Sequence, residues 1–242
     1  MVAMAPRARS RPALGAVPSA RLVSDDVTPL YDYDALRRIA SASLFEPRFD
    51  VPTVVLGSSQ SIDVIREKQR RAIQLRRRRG GGGLVLLQPD DLWVDWWIPA
   101  HDPRWDQDVR LSARRAGFWW RDALAPLVGS NLEVHDGPLE GEASHQVICF
   151  AGKGPGEVFF QDRKVVGVTQ WRVREGVLLS SVLHAHRSDD ALSLLDTIPD
   201  GLDASIQHHT LSSLGVKDSA ALLSILETQG GPWNRPAPPY PL

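Results

Sequence analysis

Apolar positions fall into two kinds of pattern along the chain. Short runs rich in β-branched and aromatic residues predict strands, and apolar residues three or four apart among charged ones predict helices. "DYDALRRIAS" (Asp32 to Ser41) has helical spacing in Leu36, Ile39 and Ala40, and "PTVVLG" (Pro52 to Gly57) reads as a buried strand. "SIDVIREKQRRAIQL" (Ser61 to Leu75) predicts a charged helix with Ser61 as its N-cap. "LVLLQPDDLWVDWWIP" (Leu84 to Pro99) predicts a hairpin of two strands around "QPDD". A long helix is expected within "DPRWDQDVRLSARRAGFWWRDALAPLVG" (Asp102 to Gly129), with no proline between Pro103 and Pro126 and marked by Val109, Leu111, Phe118 and Leu124. Three strands follow in "LEVHDG", "QVICFAG" and "GEVFFQD". Two more, "KVVGVTQWRVR" and "GVLLSSVLHAH", are joined by a turn at Glu175 and Gly176. "SDDALSLLDTI" and "DSAALLSILETQ" predict two capped helices before a Pro-rich tail.

Strands arranged as hairpins, with helices before and after, predict an α+β fold built on a mostly antiparallel sheet. Composition bounds what it does. The chain has 242 residues, 43% of them hydrophobic, enough for a sizeable core. Residues 21–230 are expected to form a single domain, after an Arg-, Ala- and Pro-rich extension (1–20) and before the tail (231–242). An acid-free start is also how an organellar transit peptide looks, so that reading stays open beside a disordered extension. No apolar run reaches the length of a membrane span, and the expected location is cytoplasmic. A net charge of -1 disfavours nucleic acid as a partner. The single cysteine, Cys149, excludes an internal disulfide and a Cys-based zinc site, and neither His184 with His186 nor His208 with His209 has metal-ligand company. Lysine is rare: Lys68, Lys153, Lys164 and Lys217 are the only four.

The most unusual stretch is "RRRRGGGGL", Arg76 to Leu84. Four glycines cost roughly 2–4 kcal/mol in chain entropy. One reading is a solvated basic loop. The other is an anion site, in which missing Cβ atoms let backbone N–H groups approach a negative ligand. The stretch matches neither common nucleotide motif, G-x-x-x-x-G-K-[ST] or G-x-G-x-x-G.

Taken with "PTVVLGSSQ" before it and "FFQDRKVVGVTQWRVREGVLLSSVLHA" (Phe159 to Ala185) after it, the stretch resembles the lipoate-protein ligase family. That family carries an R-R-x-x-G-G-G run and, later, a G-R-K-[VI]-x-G-x-[AS]-Q-x-R segment. The resemblance implies a biotin/lipoate protein ligase catalytic domain, with a curved sheet flanked by helices and an acyl chain in a tunnel. It implies that Arg77, Gly80, Gly81, Gly82 and Gly83 cover the activated acyl group, and that Lys164 and Gly167 meet its carboxyl end. The expected activity is attachment of lipoate, or a related medium-chain acyl group such as octanoate, to a carrier lysine through an acyl adenylate. ATP with Mg would be the cofactor. The partner would be a lipoyl domain or a glycine-cleavage H-like protein.

Cys149 lies fifteen residues before Lys164, an arrangement that resembles the octanoyltransferases of the same superfamily. An ATP-independent transfer from an acyl carrier protein through a Cys149 thioester is the alternative, and a non-catalytic acyl-binding homologue is another. The chain departs from the family pattern at Leu86 and Leu87, where a histidine is common, and at "LLSS" (Leu178 to Ser181), where "HHG" or "QHG" is common. The tryptophans Trp93, Trp96, Trp97, Trp119 and Trp120 are expected to fill core.

Overall fold

The computed structural model describes residues 27–141, 146–186, 190–202, 206 and 208–235. The expected 1–20 extension and most of the Pro-rich tail lie outside them. In chain order the elements are α1 (Tyr33–Arg37), β1 (Ser43–Phe45), β2 (Thr53–Leu56), α2 (Glu67–Arg70), β3 (Gln74–Arg77), β4 (Val85–Leu87), β5 (Leu92–Pro99), α3 (Val109–Val128), β6 (Leu132–Val134), β7 (Val158–Phe160), β8 (Arg163–Val173), β9 (Gly176–Leu183), α4 (Asp190–Leu194) and α5 (Ser219–Thr228).

A six-stranded antiparallel sheet runs in the order β1-β5-β9-β8-β7-β6. Its period-two alternation sorts side chains to two cores. Trp93 and Trp97 of β5, with Leu178 and Val182 of β9, face one core shared with the small sheet and α1. Val94, Trp96 and Ile98, with Val177, Leu179 and Leu183, face the other, covered by α3 and α5. Burial on both faces explains why β5 and β9 read as nearly continuous apolar runs. The expectation for the tryptophans holds for all five: Trp93, Trp96, Trp97, Trp119 and Trp120 are buried in one core or the other.

The second sheet has three strands, β3-β2-β4, with β2 parallel to β3 and antiparallel to β4. Here the structure corrects three expectations. The helix expected over Ser61–Leu75 is one 3₁₀ turn (Ile62–Val64) and the four-residue α2, because Ile65 turns extended and buries fully against Leu195. The residues from Gln74 onward then pair with Thr53–Leu56 as β3, which brings the arginines to the edge of β2. The expected hairpin over Leu84–Pro99 is absent: β4 joins β2, and β5 crosses to β1 and β9 in the large sheet. "QVICFAG" is not a strand either. It touches Leu84 through one bridge at Ile148 and then turns, with Ala151 N–H donating to Ile148 O at 3.2 Å.

α3 matches its expected helix and continues past Pro126 to Val128. Asp108 caps it by accepting from Arg110 N and Leu111 N, and Asp218 caps α5 through Ala221 N. The turn between β8 and β9 falls at Arg174 and Glu175, one residue earlier than expected.

Candidate active site

The glycine run leaves β3 and folds back over the large sheet. Two positions in it require glycine. Gly82 has φ +88°, in the left-handed region. At Gly83 a Cβ would stand 2.6 Å from Ile148 backbone atoms, so the two segments could not meet. Gly80 faces the Thr169 side chain of β8, and Thr169 Oγ1 donates to Gly81 O at 3.1 Å. The loop is thereby clamped to the strand that carries Lys164 and Gly167.

Arg78, rather than its neighbours, is the arginine built into this loop. It is 3% exposed, and its guanidinium donates to Val55 O at 3.1 Å, Gly81 O at 2.8 Å and Gly83 O at 2.7 Å. Burial lowers its pKa, while the neighbouring Cys149, Tyr33 and Asp95 oppose that. Arg77 points elsewhere, donating at 2.7 Å to the carbonyls of both Gly57 and Gln60 in the turn after β2.

Beneath the loop lies a mostly apolar cavity of about 360 Å³. Gly81, Gly82 and Gly83 line one side, Val109 and Ala113 of α3 another, and Cys149, Glu157 and Lys164 the floor. The sequence-expected residues Gly81, Gly82, Gly83, Cys149 and Lys164 thus meet around one space, with Gly167 beside Cys149. Gly80 and Arg77 are outside its lining. A narrow recess shares Cys149, Val168 and Thr169 with the cavity and continues toward Trp93 and Ser180, but holds only about 10 Å³, room for a single water.

Lys164 is the most deeply placed charge of the site. It is 2% exposed; its ammonium donates to Cys149 O at 2.8 Å and lies 2.8–2.9 Å from both carboxylate oxygens of Glu157. The Phe150 ring centroid stands 5.5 Å away. Glu157, 4% exposed, also accepts from Gly154 N at 2.6 Å. Burial raises its pKa, and Lys164 pulls it back down. Burial likewise pushes the Cys149 thiol up, against the lowering fields of Lys164 and Arg78. Gly167 faces both the Cys149 sulfur and the Phe150 ring, the sulfur standing 3.3 Å from where a Cβ would be.

Sequence reasoning did not single out Glu157, Arg78 or Phe150. Glu157 had a visible signal: it is the one acid opening the apolar "EVFF", seven residues before a rare lysine. Nothing in four adjacent arginines distinguishes Arg78 from Arg77.

No protein-family model matches the sequence, and no curated protein matches it. Among solved structures the chain is similar to a lipoate-protein ligase A bound with ATP, with a TM-score of 0.65 at 16% identity over 84% of this chain and 80% of that one. A putative lipoate protein ligase from T. acidophilum with bound lipoic acid gives 0.64 at 18% identity over 85% and 81%. A bi-partite lipoate protein ligase described with its E2 lipoyl domain, from Thermoplasma acidophilum, gives 0.63 at 17% identity over 84% and 78%. The chain has the α+β fold of these ligases.

Proposed function

We propose that this chain is an acyl-transfer enzyme of protein lipoylation, joining a lipoyl or related medium-chain acyl group to a lysine of a carrier domain. The observation that carries the reading is a buried ammonium, Lys164, on the floor of an apolar cavity roofed by the glycine loop. An ammonium has three N–H donors. Glu157 and Cys149 O hold it in place on the cavity lining, where it would turn a donor toward the carboxyl end of a bound acyl group. When the carrier lysine attacks the activated carboxyl, negative charge grows on the carbonyl oxygen. A fixed cation in a water-poor site stabilises that charge without reorganising. The new amide bond forms as the bond from the acyl carbon to the leaving group breaks, and the attacking amine gives up its proton.

In the leading form the leaving group is AMP, the acyl adenylate having been made from ATP. The fold neighbours with ATP, with lipoic acid and with an E2 lipoyl domain support that choice of substrates and partner. Gly81, Gly82 and Gly83 would cover the activated carboxyl, Gly167 would let the acyl group approach β8, and Gly80 would brace the loop. Arg77 would brace the Gly57–Gln60 turn. Mg is expected with ATP. Among the described residues no cluster of three His, Cys, Asp or Glu could hold a metal ion, and the cavity's Glu157 is committed to Lys164, so these side chains do not fit a resident Mg and no step is drawn through it.

A second form is favoured by the place of Cys149, whose residue lines the same cavity as Lys164. There the thiolate takes an octanoyl group from an acyl carrier protein, releasing that protein's thiol, and then passes it to the carrier lysine. Intact-mass measurement of an apo lipoyl domain decides among these. A gain of one lipoyl group with ATP and lipoate, kept in Cys149→Ser, supports the ligase. A gain with octanoyl carrier protein alone, lost in Cys149→Ser, supports the transferase. An unmodified carrier under both conditions, with active control enzymes, overturns the enzymatic reading in favour of a non-catalytic acyl-binding homologue.

A further inference from the structure

We propose that Glu157 is the positioning residue that keeps Lys164 charged and aimed at the acyl group. This rests on the acyl-transfer reading of the cavity. Among the described residues Glu157 is the only acid in an ion pair with Lys164. Removing it would leave a buried ammonium with one neutral acceptor and an aromatic face, Cys149 O and Phe150. Such a group sheds its proton far more readily. A neutral amine at this place would offer weaker donors to a developing oxyanion.

The carboxylate is held from several directions, so it fixes a position as well as a charge. Gly154 N–H binds one oxygen at 2.6 Å. The backbone at Glu157 is tied to β6 and its end: His135 N–H donates to Glu157 O at 2.9 Å, and Gly156 N–H donates to His135 O at 2.8 Å. Gly156, at φ +82°, lies directly against Ala113 of α3, so the segment is also wedged by the helix. On the strand side Lys164 O accepts from His209 N–H at 2.7 Å. The other titratable groups near the ammonium are the Cys149 thiol on the loop between β6 and β7, Arg78 under the glycine loop, and His184 and His208, whose rings stand 4.6 Å and 5.0 Å from Phe150. None of these supplies a second carboxylate.

The scarcity of lysine makes the test direct. With lysine labelled by ¹³C at Cε, the whole chain gives four side-chain signals, and the Lys164 signal is the one absent from Lys164→Arg. In Glu157→Gln the Lys164 signal is expected to report loss of charge at a lower pH than in the unsubstituted protein, with the other three lysine signals unmoved. Transfer by this variant should lose roughly ten- to a hundredfold in kcat, with little change in KM for the carrier, and lose more as pH rises. Glu157→Asp should hold the Lys164 titration near its original place while lowering kcat, because the charge stays and the reach shortens. An unmoved Lys164 titration in folded Glu157→Gln overturns the proposal. If Glu157→Gln does not fold, a Glu157→Asp variant with unchanged kcat overturns it. An unsubstituted protein that transfers no acyl group refutes the acyl-transfer reading instead, and the lysine titration still reports whether Glu157 governs the charge on Lys164.

Discussion

Replacing Arg78 by methionine tests the architecture of the glycine loop. The substitution keeps much of the aliphatic volume and deletes three guanidinium hydrogen bonds, to Val55 O, Gly81 O and Gly83 O. Hydrogen bonds to a charged group contribute about 1.5–3 kcal/mol each, which sums to about 4–9 kcal/mol. Against this, the variant no longer desolvates a buried cation, a relief of several kcal/mol. The Asp95 carboxylate loses its attraction to Arg78 and becomes harder to ionise. The net expectation is a loss of about 3–5 kcal/mol. For a domain of this size that is a fall in Tm of roughly 6–20 °C. Amide exchange should accelerate at Gly80 to Leu84 before it does in β5 or β9. Arg77→Met removes a guanidinium that donates to Gly57 O and Gln60 O, neither of them in the glycine run, so its loop amides should stay protected. Thermal unfolding by circular dichroism, with exchange read by mass spectrometry, makes the comparison. A Tm for Arg78→Met within about 2 °C of the parent would show that the three carbonyls find other partners and that the guanidinium does not hold the loop.

Gly83→Ala should destabilise by about 1–3 kcal/mol, because its Cβ would stand 2.6 Å from Ile148 backbone; Gly81→Ala, which meets nothing within 4 Å, should fold within about 0.5 kcal/mol of the parent, both read by chemical denaturation. Asp95 is fully buried, hydrogen-bonded to Trp93, Tyr31 and Ser180, and burial lifts its pKa to about 6 from 3.8. A raised carboxyl binds more protons folded than unfolded between those values, so its contribution to stability falls as pH rises through that window, by on the order of 3 kcal/mol in all. Asp95→Asn should remove that slope, and parallel pH–stability curves for the two proteins would contradict it. Since burial raises the Cys149 thiol, alkylation by iodoacetamide at pH 8 should run slower than for a free cysteine peptide, and labelling at the peptide's rate would show the sulfur to be more open than this packing.

The sequence made some elements plain and hid others for physical reasons. α3 was legible because one long stretch carries helical spacing, and β8 and β9 because alternating runs meet at a short turn. β3 was not: Gln74 to Arg77 has no strand-like apolar run, and it becomes a strand only because β2 offers a free edge beside it. "QVICFAG" has every local mark of a strand, yet the carbonyl of Cys149 accepts from a lysine side chain fifteen residues on and the segment turns instead. The supposed hairpin failed because local sequence does not say which sheet a strand joins.

By itself the sequence determined the class of fold, two chemical motifs and their order along the chain: a glycine loop behind arginines, then a rare lysine after a lone cysteine. These follow from local chemistry, since glycine density, charge and apolar period belong to neighbouring residues. Only the tertiary structure decided which arginine is buried, that Glu157 faces Lys164, and that loop, cysteine and lysine enclose one cavity. Those outcomes depend on desolvation and on contacts that local sequence does not specify, where the energy of a charge is set by what lies across from it and not by what precedes it.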